Sequence, residues 1–211
     1  MLSETLDGIL GPRSQVGVLR VLFKEDALSG REVARRAGLS PRAASLALSN
    51  LVAAGVLQRR QAGGSHLFSV NGQRHVVVSG LRPLFALEES LPSAIGDRIM
   101  EAVGRHKCVS VAIFGSFARS ESVHGSDLDV LVLLDDSARV PRVRDLLDER
   151  AGKFHDSFGI RLSPYVVSAA EFAQRFKKDD RLIKAMVREA RIIAGKPLAE
   201  VLVDESQEKN H

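Results

Sequence analysis

The sequence predicts an α+β protein built in two parts. Apolar residues recur at helical spacing over residues 14–54, and two strand-like runs joined by a pair of glycines follow them. Farther along, the runs 108–114 and 127–134 are largely apolar, which predicts two buried strands among further helices. With 211 residues the chain is long enough for one or two domains, each with a core of its own.

Three helices are predicted in the first part. The first spans residues 14–23. The second opens at residues 29–32, where a serine and a glutamate stand at the spacing of a capping box. The third covers residues 40–54, because it starts with a serine and a proline, which favour the N-cap and the first helical position. Its periodicity puts either Leu46 or Ala47 on the buried face.

A β-hairpin is predicted after the third helix, since residues 56–60 and 67–70 are strand-like and two glycines separate them. Over residues 12–72 this order of two helices, a short turn, a third helix and a hairpin resembles the winged helix-turn-helix domains of small bacterial and archaeal transcription regulators. The resemblance implies a DNA-binding regulator whose third helix enters the major groove of double-stranded DNA.

The same resemblance implies which side chains meet DNA. Polar residues early on the third helix would lie near base edges, and basic residues of the hairpin and the second helix would meet phosphates. The candidates are Arg42, Ser45, Ser49 and Asn50 on the third helix, Arg59, Arg60 and His66 on the hairpin, and Arg35 and Arg36 on the second helix. Winged helices also serve as protein-interaction or dimerisation modules, and that alternative stays open.

The charge distribution favours a polyanionic partner for the first part. Residues 1–75 carry ten Lys and Arg against five Asp and Glu, whereas residues 76–211 carry twenty against twenty-one. The basic surplus therefore belongs to the predicted DNA-binding part.

Residues 76–106 are predicted to link the two parts. The pattern of residues 76–89 is helical despite its β-branched start, and a second helix is predicted over residues 93–106. These helices bridge the domains, form the seam of a homodimer, or pack on the sheet of the second part. We therefore predict a first domain at 1–75, linking helices at 76–106 and a second domain at 107–211.

The most informative pattern begins where the first strand of the second part ends. Gly115 lets a ligand approach the backbone closely, and free backbone N–H groups at Ser116 attract phosphate. Arg119, about one turn later, is placed to clasp the same phosphate. Asp127 and Asp129 then share one face of the next strand, roughly 7 Å apart. Two acids at that spacing, opposite a phosphate-binding turn, suit Mg²⁺ bound to nucleotide phosphates.

Gly115-Ser116 followed, ten residues later, by Asp127-Leu-Asp129 resembles the signature of the DNA polymerase β-like nucleotidyltransferase superfamily, in particular its minimal members. The resemblance covers residues 107–195. It implies an α/β domain with a mixed sheet that transfers a nucleoside monophosphate to a hydroxyl acceptor. The implied site has Asp127 and Asp129 as catalytic ligands of Mg²⁺, and Gly115, Ser116, Arg119 and Ser126 at the phosphates of ATP or another NTP.

One part of that signature is missing. Members of the superfamily usually carry a third carboxylate on a later strand, and here the corresponding positions on strand 159–167 are Arg161 and Ser163. Pro164 marks this strand as an edge strand or a strand end. Three functions therefore stay open: a transferase acting on a protein or another hydroxyl, a nucleotide-sensing protein of weak or no activity, and an antitoxin-type transferase paired with a helical toxin.

A last helix is predicted over residues 180–194. Its basic residues recur at spacings of three, four and three, which gives a stripe that is either a solvated face or a contact for RNA or an acidic partner. The stripe consists of Arg181, Lys184, Arg188 and Arg191.

The composition points to the cytoplasm. The single cysteine, Cys108, excludes an internal disulfide and a cysteine-based zinc site. Residues 1–8 contain acids and lack the basic start of a secretory signal. No run approaches the roughly 20 apolar residues that span a bilayer, so we expect no membrane partner.

Overall fold

The structure is a computed structural model that describes residues 12–105, 107–119 and 126–207. The described residues form two compact units, which divide between Ser90 and Leu91. Their boundary falls inside the segment predicted as linking helices. The start of the chain, on which the expectation of no secretory signal depends, lies outside the described residues.

The first unit contains the predicted helices and hairpin. Its described part has three helices and a small antiparallel sheet in which β3 lies between β1 and β2. The elements are α1 (Arg13–Lys24), β1 (Leu28–Ser29), α2 (Gly30–Arg36), α3 (Pro41–Ala53), β2 (Leu57–Ala62) and β3 (Ser65–Val70). Both predicted caps are present: the Ser29 hydroxyl accepts from the Glu32 N–H, and the Ser40 hydroxyl accepts from the Ala43 N–H.

Packing in the first unit decides which residue of α3 is buried. Leu48 and Leu51 of α3 pack with Leu22 of α1 and Val33 of α2 in one core. Ala47 joins that core, and Leu46 points outward. The periodicity of the sequence left this choice open, because both residues lie near the edge of the apolar face.

The predicted break between two linking helices is wrong. A π-helical segment, Val76–Leu81, continues directly into α4, Arg82–Val103, which runs through Pro92. A proline inside a helix costs about 3 kcal/mol. Burial of Ile95 and Ile99 just beyond it contributes about 1.5–3 kcal/mol for each side chain, which offsets that cost.

The second unit contains a four-stranded mixed sheet. The strand order is β6-β5-β4-β7, with β5 and β6 parallel and the other pairs antiparallel. The further elements are β4 (Cys108–Ile113), α5 (Gly115–Ala118), β5 (Leu128–Leu134), a 3₁₀ turn (Ser137–Arg139), α6 (Val140–Phe158), β6 (Leu162–Ser168), α7 (Ala169–Lys177), α8 (Arg181–Glu189), β7 (Arg191–Gly195) and α9 (Leu198–Gln207). The mixed sheet and the edge position of the strand with Pro164 are confirmed.

The predicted helix over residues 180–194 is too long. It ends at Glu189, and Arg191–Gly195 forms the strand β7 along β4. Ile192 and Ile193 are β-branched and suit a strand, and β4 offers an edge whose backbone groups need partners. Arg191 therefore does not belong to the basic stripe of α8.

The core of the second unit lies between the sheet and the helices that follow it. Leu131 and Leu133 of β5 pack with Phe172, Ile183 and Met186 of α7 and α8. Within the described ranges, no helix combines the length and the apolar character needed to cross a bilayer.

Cys108 is a core residue of the second unit. Its side chain is buried, and this desolvation raises the pKa of the thiol to about 12. The thiol therefore stays protonated near neutral pH and is a poor nucleophile.

Candidate functional site

The backbone of Gly115 lies directly against the carboxylate of Asp129. A methyl group added to Gly115 would be 2.3 Å from Asp129 Oδ2 and 3.2 Å from Asp129 Cγ. The Phe114 N–H donates to the Asp129 backbone oxygen over 3.0 Å, and Ile113 pairs with Val130 in the adjacent ladder. The antiparallel pairing of β4 and β5 thus brings the predicted phosphate turn to the predicted metal ligand.

The other candidates of this site lie on both sides of that contact. Asp127 immediately precedes β5 and is exposed, whereas Asp129 is half-buried. Ser116 and Ser126 are half-buried as well. In the part of the chain that the structure describes, no cluster of three or more His, Cys, Asp or Glu side chains could hold a metal ion. Of the described residues, the two aspartates are the predicted ligands of a metal ion here.

The helix at the Gly115 turn, α5, is a single turn. It spans Gly115–Ala118, and its N-cap residue, Phe114, makes no side-chain capping bond. The dipole of a single helical turn is small. Attraction of phosphate would therefore depend on the close approach that Gly115 permits, since it has no side chain of its own and its φ is +69°.

Arg119 forms an ion pair that sequence reasoning missed. Its Nη1 atom lies 3.5 Å from Glu189 Oε2 at the end of α8. Arg188 Nε also donates to Glu189 Oε1 over 3.1 Å. The hydrogen bond from Arg188, and then the one from Arg119, hold the pKa of Glu189 below its usual value. Seventy positions separate Arg119 from Glu189, so no local pattern could have predicted the pair.

The register of β6 places a serine beside the aspartates. In the parallel ladder Asp129 pairs with Ser163, and the Leu128 N–H donates to the Arg161 backbone oxygen over 2.8 Å. Paired residues of neighbouring strands point to the same side of a sheet. The edge of the sheet next to Asp129 therefore presents the exposed hydroxyl of Ser163. Arg161 precedes Ser163 by two residues and lies on the same side.

The first unit has a groove between α3 and the hairpin. Its volume is about 1170 Å³, and apolar side chains such as Leu48, Val52 and Phe68 line part of it. Four of the DNA-binding residues predicted on the third helix and the hairpin also line it: Ser45, Ser49, Arg59 and His66. Arg31, which sequence reasoning missed, lies there too, and its position in the first turn of α2 was the only clue.

Three other predicted DNA-binding residues lie outside this groove. The hairpin register pairs Arg59 with Phe68 and Arg60 with Leu67. Successive side chains of a strand point to opposite faces, so Arg60 points away from the groove that Arg59 lines. Arg42 and Asn50 are exposed on α3.

The two arginines at the end of α2 already have acidic partners. Arg35 Nε donates to Glu32 Oε2 over 3.0 Å, and Arg36 pairs with Glu32 and Glu25. Hydrogen bonds from Arg35 and then Arg36 lower the pKa of Glu32 to about 2. Of these two predicted phosphate contacts, Arg35 lines the groove. Phosphate would have to compete with Glu32 for both arginines.

Comparisons with known proteins support the assignment of the second unit. The profile of the family described as "Nucleotidyltransferase domain" matches residues 97–193, just under half of the chain. This stretch includes β4, the Gly115 turn, β5 and β6, and the mixed sheet is consistent with a nucleotidyltransferase domain. Such domains generally use a nucleoside triphosphate and a divalent metal ion. No curated protein matches the chain significantly.

Solved structures share weaker similarity. A mutant of the MntA-HpeT toxin-antitoxin is 14% identical, with 57% of this chain and 87% of that chain covered and a TM-score of 0.38. A toxin-antitoxin with AMP-PNP is 16% identical, with 55% and 87% covered and a TM-score of 0.34. An IclR family transcriptional regulator from Brucella abortus is 17% identical, with 75% and 69% covered and a TM-score of 0.28. Because every TM-score lies below 0.5, these likenesses say nothing of this chain's partners.

Proposed function

We propose that this protein is a DNA-binding transcriptional regulator whose nucleotidyltransferase domain binds a magnesium-chelated nucleoside triphosphate. The observation that carries the nucleotide site is the contact between the Gly115 backbone and the Asp129 carboxylate. Only glycine fits there, so a ligand could touch the backbone of the turn and the aspartate at once.

The residues of the site have distinct roles in this proposal. Asp127 and Asp129 would hold the metal ion, because carboxylate oxygens suit Mg²⁺. When bound, the ion would neutralise charge on the triphosphate. Ser116 and Ser126 would donate hydroxyl hydrogen bonds to phosphate oxygens. Arg119 would clasp the phosphates in place of Glu189, which lies at the edge of a salt-bridge distance from it.

The strand next to the aspartates favours binding over turnover. Ser163 and Arg161 occupy the positions where a third acid would stand. Without an acid at those positions, β6 supplies no third carboxylate to accept a proton from an acceptor hydroxyl or to hold a second ion. We therefore propose slow transfer to a hydroxyl of a protein or another acceptor, and nucleotide sensing without transfer is the second candidate function.

The groove of the first unit supports the DNA-binding part of the proposal. Among the residues that the structure describes, no acidic side chain lines it, and Arg31, Arg35, Arg59 and His66 do. A strongly charged duplex suits such a surface, since its phosphates attract arginine and its base edges accept polar contacts. We assign Arg42, Ser45, Ser49 and Asn50 to the bases and Arg59, Arg60 and His66 to the backbone of double-stranded DNA.

Calorimetry with the non-hydrolysable analogue of ATP and Mg²⁺ tests the nucleotide site. The wild type should bind, and Asp129→Asn should bind at least about tenfold more weakly, which corresponds to about 1.4 kcal/mol. Asp148→Asn, which removes an exposed acid from α6 of the same unit, is the matched control and should bind normally. Absence of binding to the wild type at millimolar nucleotide would refute the proposal.

Transfer is measured separately with ATP labelled on its α-phosphate. Label on a protein acceptor that disappears in Asp127→Asn would support the transferase. Binding without label would support the sensor instead.

Titration of duplex DNA at several salt concentrations tests the first unit. Each phosphate contact contributes about −0.9 to the slope of log K against log salt, so the wild type should show a steep negative slope. Arg42→Ala combined with Arg59→Ala should weaken binding and flatten this slope. Arg142→Ala combined with Arg144→Ala removes the same charge from α6 and should leave binding unchanged. If both double variants weakened DNA binding equally, binding would depend only on the net charge of the protein.

A further inference from the structure

Leu46 is an apolar side chain without a partner in the middle of α3. It is 63% exposed, more than any other large apolar residue in the described ranges, whereas its neighbour Ala47 is 2% exposed. Ala44, Leu48 and Leu51 form the buried side of the helix, so Leu46 lies on the outer side. The core of the first unit does not use this leucine.

Around Leu46 the outer side of α3 is polar, and apart from Arg42 its side chains are short. Ser45 and Ser49 flank Leu46 and are exposed, and Arg42 and Asn50 stand four residues before and after it. Residues four apart are neighbours on a helix surface. Small side chains let a helix approach a surface closely, which leaves Leu46 as the apolar group that reaches farthest from this face. The sequence of α3, residues 41–53, contains no acid.

The charge beside Leu46 indicates what kind of surface covers it. Ser45 and Ser49 also line the groove with Arg31, Arg59 and His66, and no carboxylate within the described ranges lines that groove. An apolar protein partner would have to bury these cations without acids to pair with them, which is unfavourable. A DNA duplex supplies phosphates for the cations and, in its major groove, one apolar group among the base edges, the C5-methyl of thymine.

We propose that Leu46 contacts the C5-methyl group of a thymine in the major groove, so that the protein requires a T·A pair at one defined position of its binding site. This inference rests on the proposed DNA binding. Leucine can neither donate nor accept a hydrogen bond. Against cytosine it would cover the exocyclic amino group without a partner, and against guanine or adenine it would cover acceptors, each at a cost in affinity.

Deoxyuridine differs from thymidine only by that methyl group and therefore isolates the contact. The full chain would first be used to select tight-binding duplexes from a randomised library. Each thymine of the best duplex would then be replaced singly by deoxyuridine. One replacement should weaken wild-type binding about fourfold, since burial of one methyl-sized group is worth about 0.8 kcal/mol. Leu46→Ala should bind the thymine and uracil duplexes equally.

Leu87→Ala is the matched control. Leu87 is 59% exposed on α4 of the same unit, so its truncation removes the same group from another surface. This variant should keep the full preference for thymine over uracil. Because Leu46 is exposed, Leu46→Ala should fold like the wild type, which circular dichroism verifies.

The possible results distinguish a failure of the thymine contact from a failure of DNA binding itself. Two results would overturn the role of Leu46 and leave DNA binding intact. One is sequence-selective binding that no uracil replacement weakens. The other is a preference for thymine over uracil that persists in Leu46→Ala. Selection that yields no common sequence would also overturn it. If no duplex binds, the proposed DNA-binding function itself is wrong, and the inference fails with it.

Discussion

Replacement of Gly115 by alanine tests the contact on which the proposed nucleotide site depends. The new methyl group would lie 2.3 Å from Asp129 Oδ2 and 3.2 Å from Asp129 Cγ, so the carboxylate must move. Gly115 also has a φ of +69°, where a residue with a Cβ atom costs about 1–2 kcal/mol. We therefore expect two effects, a loss of stability from the backbone and a loss of nucleotide affinity from the displaced aspartate.

Gly159→Ala separates these two effects. Gly159 ends α6 with a φ of +67°, and a methyl group there would meet nothing within 4 Å. Both variants should therefore lower the thermal midpoint by about 3–8 °C, the shift expected for 1–2 kcal/mol in a protein of this size. Only Gly115→Ala should also weaken nucleotide binding, by about tenfold or more if one metal ligand is misplaced.

Differential scanning calorimetry gives the midpoints, and titration calorimetry with Mg²⁺ and the non-hydrolysable ATP analogue gives the affinities. Binding by Gly115→Ala as tight as that of the wild type would refute the reasoning, because the nucleotide would then not depend on the geometry of Asp129. An equal loss of affinity in Gly159→Ala would also refute it, since backbone strain at a distance would then be sufficient.

Three further outcomes are expected. Ser163→Asp puts a third acid beside Asp129 and should raise Mg²⁺ affinity about tenfold and increase any transfer. Ser157→Asp adds the same charge on α6 and should do neither. No gain in metal binding by Ser163→Asp would contradict the expectation that residue 163 lies beside the metal ligands. Glu189→Gln removes the acid that pairs with Arg119, so calorimetry should show triphosphate binding that is stronger by up to about fivefold, the range of an exposed ion pair. Weaker binding would mean that Glu189 positions Arg119 for the nucleotide. The pKa of Glu32 is lowered from 4.5 to about 2, so Glu32 stabilises the folded first unit above about pH 4.5, and this contribution is lost as the pH falls through about 2. Circular dichroism during acid titration should therefore show a flatter response in Glu32→Gln than in the wild type. Identical curves for the two proteins would contradict this linkage.

Local patterns were sufficient to predict most elements of the fold. The caps at Ser29 and Ser40, the hairpin and the Gly115 turn each depend on a few neighbouring residues, and the structure contains all of them. The strand β7 could not be predicted in this way. Its sequence continues the apolar period of α8, and only the open edge of β4 makes a strand more favourable than another helical turn.

The candidate site shows the same division between local and long-range information. Sequence spacing predicted that the Gly115 turn and Asp129 would meet, because two adjacent strands had to bring them together. The pair of Arg119 with Glu189 depends on how α8 packs near α5, and no spacing encodes that. The choice between Leu46 and Ala47 likewise needed the packed core, since a difference of one residue lies within the tolerance of a helical period.

The register between β5 and β6 connects the geometry of the proposed site with the kind of activity it can support. A metal-chelated triphosphate needs carboxylates for the ion and cations for the phosphates, and Asp127, Asp129 and Arg119 could supply both. Proton removal from an acceptor needs a further base near the aspartates, and this edge offers Ser163 and Arg161 instead. Arginine stays protonated and serine is a weak base, so neither can replace a carboxylate. In the proposed function, the domain would therefore bind a nucleotide without reacting with it quickly, as a ligand-responsive regulator requires.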